Sequence, residues 1–328
     1  MRRSLIAGLA LVLTLWVGFG GSRIEAAETE VLAVGNASLT QIPYFNIGPF
    51  AKKHGINVVM RRMGTYTQMQ QAVELGAADF AAIGYVNLVL MAAAGGTPRA
   101  QAVSGIFVGG QDVVFHKDVK IAKWKDVEGK TIGRLPGSFV EFLFRVAAVH
   151  NGADVSKIKF KDFGFSFATL NFALKNREID GLVIWSPGME MPVVEGFAYF
   201  PPISVQDTPV GDINGLLGVN TGFMKKNPEV VEKVVRAFVE ATQHFASNPE
   251  EWVKRGRDLL GTDVRVLQEG IKHSKLTNMI YAEKAKTLAK VAHEGKIVKK
   301  DASKDIVKWI SYDFLKKATG KSRKDLGG

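Results

Sequence analysis

From residue 30 onward, short apolar runs rich in β-branched residues alternate with stretches whose apolar positions recur at spacings of three and four. The first pattern is that of strands and the second that of amphipathic helices, so the chain reads as successive βα units feeding a largely parallel sheet. Residues 31–35 read as a first strand, 49–54 as part of a first helix and 57–62 as a second strand. Thr65 can cap a helix running to Leu75, with Gly76 as its left-handed stop. An apolar strand at 80–84, a helix at 87–94, a Gly-Gly-Thr-Pro turn at 95–98 and a strand at 100–108 follow.

A Gly-Gly-Gln-Asp break at 109–112 precedes a second cycle, with strands at 113–116, 132–135, 158–161 and 181–185 and helices at 138–150 and 167–174. The halves echo each other. Glu74-Leu75-Gly76-Ala77-Ala78-Asp79 ends a helix and leads into an apolar strand, and Lys175-Asn176-Arg177-Glu178-Ile179-Asp180 does the same. Two similar turns can arise independently, but the repeated order favours a duplicated lobe. Beyond 215–218 only helices are expected. Asn227-Pro228-Glu229 and Asn248-Pro249-Glu250 each supply a cap, a first-turn proline and an acid suited to the helix dipole. Val231, Val234, Phe238, Ala241 and Phe245 mark one buried face, further helices read at 264–273, 282–295 and 303–318, and the polar end from 319 reads as a loose tail.

Composition adds the compartment. Arg2 and Arg3 precede an apolar run at 5–17 and small or polar residues up to Ala26. This is the layout of a secretory signal peptide, shorter than the roughly 20 residues that span a bilayer. Cleavage after Ala26 would give a periplasmic protein, and the absence of cysteine closes the lipoprotein route and removes disulfides and thiolate chemistry. The net charge of +11 falls by two on that cleavage, and export argues against nucleic acid as a partner. His54, His116, His150, His244, His273 and His293 have no metal-ligand spacing, and no cofactor is expected. Neither a G-x-S-x-G elbow nor a P-loop is present, so enzyme chemistry is disfavoured.

Several segments together resemble the nitrate/sulfonate/taurine-type substrate-binding proteins of ABC importers, which share a fold with binders of thiamine-pyrimidine precursors. The segment Trp124-Lys125-Asp126-Val127-Glu128-Gly129-Lys130-Thr131-Ile132-Gly133 is similar to the family's D-L-K-G-K-K-I-G. Pro136-Gly137-Ser138 then opens a helix, and Glu178-Ile179-Asp180 stands where the family has G-x-I-D, with Arg177 or Asn176 in place of the glycine. Lys226-Asn227-Pro228-Glu229-Val230-Val231 with Ala237-Phe238 resembles the C-terminal helix signature. The resemblance implies an α/β protein of two Rossmann-like lobes, a type II periplasmic-binding-protein arrangement with a hinge and a ligand cleft between lobes. It places lobe I at 28–111 plus 216–320, lobe II at 112–215 and a flexible tail at 321–328. It further implies a monomer that hands a small solute to an inner-membrane permease. A sensory receptor for a kinase or chemoreceptor and an enzyme on the same fold remain as alternatives.

Ligands of open α/β sheets bind beyond the carboxyl ends of the strands, where helix N-termini direct N–H groups outward. Those ends give Asn36, Ser38, Gln41, Tyr44, Gly64, Thr65, Tyr66, Gly84, Tyr85 and Asn87 from the first lobe. The second gives Gly137, Ser138, Phe139, Ser166, Phe167, Trp185 and Glu190. Hydroxyls and glycines at helix starts suit a carboxylate, sulfonate or phosphate, although Thr65 and Ser138 would cap their helices with or without a ligand. The aromatic residues point to a solute with a flat or apolar body rather than bare nitrate. Glu190 and Asp207 could meet an amine, and Arg62 and Arg134 an anionic head, although surface ion pairing accounts for such residues equally well.

Overall fold

The computed structural model describes residues 28–136, 138–164, 166–213 and 215–328. The expected signal segment and Gly137 lie outside the described residues. The strands are β1 (Thr29–Gly35), β2 (Ile56–Arg62), β3 (Phe80–Gly84), β4 (Ala100–Gly109), β5 (Gln111–His116), β6 (Thr131–Arg134), β7 (Lys159–Asp162), β8 (Gly181–Trp185), β9 (Ala198–Tyr199), β10 (Gly215–Asn220) and β11 (Ser274–Leu276). They form two sheets, ordered β11-β4-β10-β3-β1-β2 and β7-β6-β8-β5-β9, with helices packed around them. The protein is therefore mixed α/β.

The sheets are not largely parallel. β1 lies parallel to β2 and β3, but β10 is antiparallel to β3 and β4; β6 lies parallel to β7 and β8, but β5 is antiparallel to β8 and β9. Read as β2-β1-β3-β10-β4 and β7-β6-β8-β5-β9, five successive strands match in order and direction. The antiparallel strands are those delivered by a crossing of the chain between sheets. β5 follows β4 directly, without the helix that a parallel connection needs. At the crossing, Gly109 and Gly110 hold φ of +74° and +71°, and a Cβ on Gly110 would lie 2.7 Å from both Ser274 Oγ and Thr40 Cγ2. Only glycine fits that conformation and space.

The repeated Asp of the sequence echo has a repeated role. Asp79 Oδ2 accepts from Leu32 N–H at 2.8 Å, and Asp79 N–H donates to Leu32 O at 2.9 Å. Asp180 Oδ2 accepts from Thr131 N–H at 2.8 Å, and its own N–H donates to Thr131 O at 2.8 Å. Each Asp carbonyl then accepts from the antiparallel neighbour, Asn220 N–H at 2.9 Å or His116 N–H at 3.0 Å. The helix stops before these acids also correspond: Gly76 has φ of +73° and Arg177 φ of +63°, so Arg177 is the residue that stands in the left-handed position glycine would favour.

Three expectations for the C-terminal third change. It is not helical throughout, because β11 pairs with β4 and, with Ser311 N–H donating to Ala102 O at 2.9 Å, covers that strand's outer edge. The helix expected at 303–318 is broken into a 3-10 turn, Ile306–Trp309, and a helix, Asp313–Thr319, because Ile310 is extended and bridges Ala102 at that edge. The tail is docked: Leu326 is buried, and Ile280 N–H and Ala282 N–H donate to Leu326 O and Gly327 O at 2.9 and 3.1 Å. Burial of that one apolar side chain is what a polar composition hides.

Alanine at Asp79 or at Asp180 leaves the strand N–H of Leu32 or of Thr131 without its side-chain acceptor. Each substitution should lower the unfolding free energy by about 1–3 kcal/mol, measurable by urea denaturation, and the two values should agree within about 1 kcal/mol. A cost at one position with none at the other would break the equivalence of the two sheets.

Candidate functional site

The loops after β1, β2, β3, β6 and β8 meet in a seam between the sheets. Gln41, in the turn after β1, donates from Nε2 to Asn36 Oδ1 and to Tyr66 Oη, the latter at 3.1 Å, and accepts from Asn36 N–H at 3.1 Å. Tyr66 opens helix Tyr66–Glu74, whose cap is Thr65 reciprocally bonded with Gln68. From the other sheet, Ser138 Oγ accepts from Glu141 N–H at 3.3 Å and starts helix Phe139–His150. The Phe139 ring stands 4.8 Å from Tyr66 and 6.4 Å from Trp185, nearly parallel to the indole at 26°. Phe167 meets the same indole edge-on at 5.4 Å. Tyr66, Phe139, Trp185 and Phe167 thus form a continuous series of rings across the two sheets.

Beside this series is a cavity of about 250 Å³. Tyr66, Asn87, Ser138 and Phe139, all named from sequence, line it together with Thr67 and Arg145, which were not. Three helix starts converge there, those of Tyr66–Glu74, Tyr85–Ala94 and Phe139–His150. First-turn N–H groups have no intrahelical acceptor, and the positive ends of the helix dipoles attract anions. Arg145 adds a guanidinium. It and Arg134 both engage Glu141, Arg145 Nε at 2.8 Å, and both lie over the Phe160 ring, at 4.2 and 5.1 Å. Arg134 is further held by Asp162, its register partner in the same sheet, at 2.6 Å, so its charge is compensated there. Arg145 carried a visible signal, the acid four residues before it, but nothing in the sequence aimed it at the seam.

The remaining candidates are dispersed. Ser38 Oγ is 3.3 Å from Thr40 Oγ1 near the crossing. Tyr44 is in the core, edge-on to Phe238 at 5.9 Å. Gly64 and Thr65 form the turn that caps Tyr66–Glu74, both N–H groups donating to Gln68 Oε1 at 3.2 Å. Gly84 N–H donates to Asn87 Oδ1 at 2.8 Å, and Asn87 Nδ2 to Gln70 Oε1 at 2.7 Å. Tyr85 Oη accepts from Tyr281 N–H at 2.7 Å, beneath the C-terminal segment. Ser166 caps its helix by accepting from Thr169 N–H at 3.2 Å. Of the charged groups, Asp207 accepts from Trp124 Nε1 at 2.9 Å, and Arg62 donates to Leu259 O at 3.2 Å. These pairings are structural.

Two seam groups are buried without full satisfaction. Trp185 Nε1 has no hydrogen-bond partner, and Glu190, wholly buried, has one oxygen accepting from the Ser186 hydroxyl while Oε2 has none. Burial pushes the Glu190 carboxyl up to about 8, with Glu269 adding to the rise. Among the described residues, no three His, Cys, Asp or Glu side chains gather as a metal site, and no helix is long and apolar enough to cross a membrane.

Comparison with known proteins places this geometry. A model described as NMT1/THI5-like matches residues 48–252. The chain belongs to that family. The taurine-binding periplasmic protein of Escherichia coli K12 is 22% identical over 258 residues, covering 79% of this chain and 76% of that one. Among solved structures, the alkanesulfonate-binding protein SsuA of Xanthomonas axonopodis pv. citri, bound to MOPS, superposes with a TM-score of 0.71 at 14% identity, over 87% of this chain and 98% of that one. The periplasmic nitrate-binding protein NrtA of Synechocystis PCC 6803 gives 0.72 at 14% identity, over 89% of each. At such identities the family and the two-sheet fold carry over, and the solute does not.

Thr65→Ala and Ser138→Ala should each cost about 1 kcal/mol of stability through the lost cap, read by urea denaturation without any solute. A loss far below that would show that these hydroxyls do not hold the helix starts lining the cavity.

Proposed function

We propose that this chain is a periplasmic solute-binding protein of an ABC importer, whose two lobes clamp a small organic anion with an apolar or flat body. The lobes are residues 28–111 plus 216–320 and residues 112–215, each built on one of the two sheets except that Gln111 and Gly215 begin β5 and β10 of the opposite sheet. The observation that carries the reading is the convergence of three helix starts, Arg145 and the rings of Tyr66 and Phe139 on one cavity between the sheets. Helix N–H groups and a guanidinium stabilise a sulfonate or carboxylate head, and the rings cover an apolar body. Bare nitrate would leave most of about 250 Å³ unfilled. The relatives agree in kind, being named for taurine, alkanesulfonate and nitrate binding.

The mechanism is binding without chemistry. A solute that touches both lobes has higher affinity for the closed form, and that difference alone shifts the hinge equilibrium. The closed form then presents both lobes to a permease. Gly109 and Gly110, with their positive φ, stand at one of the two crossings where such a rotation is absorbed.

Thermal-shift screening of sulfonates, amino-sulfonates, aromatic carboxylates, pyrimidines and nitrate should give the largest shifts for anions with an apolar body. Against the best of them, Trp185→Ala and Tyr66→Ala should each weaken calorimetric affinity tenfold or more, about 1.4 kcal/mol. Unchanged affinity in both variants would remove the ring series from the solute site, and no shift with any compound would remove the reading.

A further inference from the structure

Glu190 stands where the halves of the chain meet. Helix Glu190–Val194 follows β8 of the second sheet, and helix Val264–Gly270 precedes β11 of the first; the two helices pack on each other. The contact is close because Gly270 has no side chain. A Cβ there would lie 3.5 Å from Glu190 Cδ and Oε1, and 2.6 Å from Leu39 Cδ2. Glu190 Oε1 accepts from the Ser186 hydroxyl, and Oε2 is buried with no partner.

The charges around it offer no cation. On the facing helix, Glu269 is an anion already engaged by Lys272 at 2.7 Å and His273 at 3.4 Å, and Arg265 is held by Asp263 at 2.7 Å. Helix Phe167–Lys175, on another side, ends in Lys175, which pairs with Glu195 at 3.7 Å. β9 brings Tyr199, whose hydroxyl donates to Val119 O at 2.8 Å. On β11, the charge of Lys275 acts on Asp212. An ionised carboxylate enclosed here would lose its hydration and gain no counter-ion, with only the Ser186 hydroxyl and its own backbone N–H as donors.

We infer that Glu190 enters the contact between the lobes as a neutral carboxylic acid, so that closure around a solute takes up a proton. This rests on the two-lobe solute-binding reading. In the closed form burial holds the carboxyl at about 8, while in separated lobes water returns it toward the ordinary glutamate value of about 4.3. The closed-state value is the higher one, so the favourable contribution is complete below the ordinary value and is lost as pH rises through about 8. Between the two values the association constant falls by up to about tenfold per pH unit. The protein would hold its solute more tightly on the acidic side of neutrality.

The test titrates benzenesulfonate, which stays ionised throughout, into the full chain at pH 7 in imidazole and in triethanolamine, two buffers of different ionisation enthalpy. The wild type should take up about one proton per solute bound, and its Kd should rise about tenfold between pH 6.5 and 7.5. Glu190→Gln, a neutral isostere, should show no uptake and a flat Kd. Absence of uptake in the wild type, or uptake that persists in Glu190→Gln, overturns the inference. Should the variant fail to fold, carbon-detected NMR of the wild type saturated with benzenesulfonate decides: one glutamate titrating near 8 supports the inference, and none above about 5.5 overturns it. Should benzenesulfonate not bind, the panel compound with the largest thermal shift takes its place; failure of all of them to bind overturns the solute reading together with this inference, whereas binding without proton exchange overturns this inference alone.

Discussion

The two crossings of the chain between its sheets are the constraint on which the rest of the structure depends. Each crossing delivers a strand antiparallel to its neighbours, β5 to one sheet and β10 to the other. Because those strands are hydrogen-bonded into the sheets, the halves cannot be placed independently. The loops after β1, β2, β3, β6 and β8 are turned toward one seam, and Tyr66 and Phe139 meet there at 4.8 Å. Gly110 is pinned on both sides, its N–H donating to His273 O at 2.8 Å and its carbonyl accepting from Ser186 N–H at 2.9 Å. The same residue therefore sets the crossing and anchors the start of the Ser186–Glu190 segment.

The seam selects charge by arrangement more than by net sign. Glu141 lies in the cavity wall, yet two guanidiniums compensate it. Backbone N–H groups are fixed by the helices that carry them and cost little ordering on binding, which favours them over flexible lysines as anion ligands. The basic surface of the chain, +11 over the whole sequence, acts at longer range by attracting anions toward any opening. Short-range recognition in the proposed reading falls to rings and amides, which match a sulfonate or carboxylate on an apolar body.

Strands were the most legible part of the sequence, since 80–84 and 181–185 are apolar runs between turn signals, and both end where the pattern says. The Asp79 and Asp180 echo was legible as a motif, but its hydrogen-bonding role required knowing which strands lie adjacent. Strand direction was hidden, because periodicity cannot distinguish a strand entering from the neighbouring sheet from one arriving by a helical crossover. In the site, helix starts could be found from Thr65 and Ser138, and the structure gathers Tyr66, Asn87, Ser138 and Phe139 around one cavity. Arg145 was missed because its position depends on the packing of helix Phe139–His150 across the seam. Tyr44 and Tyr85 show the converse: an aromatic residue near a strand end can turn inward, and these two meet Phe238 and Tyr281 N–H.

Two of the buried polar atoms without partners, Trp185 Nε1 and Glu190 Oε2, lie in the seam itself. Each such atom costs about 1–3 kcal/mol relative to its hydrated state, so a closed seam holding both is held at a disadvantage that opening relieves. The proposed solute-binding role needs such a disadvantage: if the empty closed form were fully satisfied, solute would have little left to shift. A solute acceptor facing the indole N–H and a proton on the carboxylate reduce that cost by different routes, one specific to the guest and the other to the pH. Both groups lie on the short segment from Trp185 to Glu190, tied through Ser186 to the crossing at Gly110. In the proposed reading, recognition and hinge position are thereby coupled within six consecutive residues.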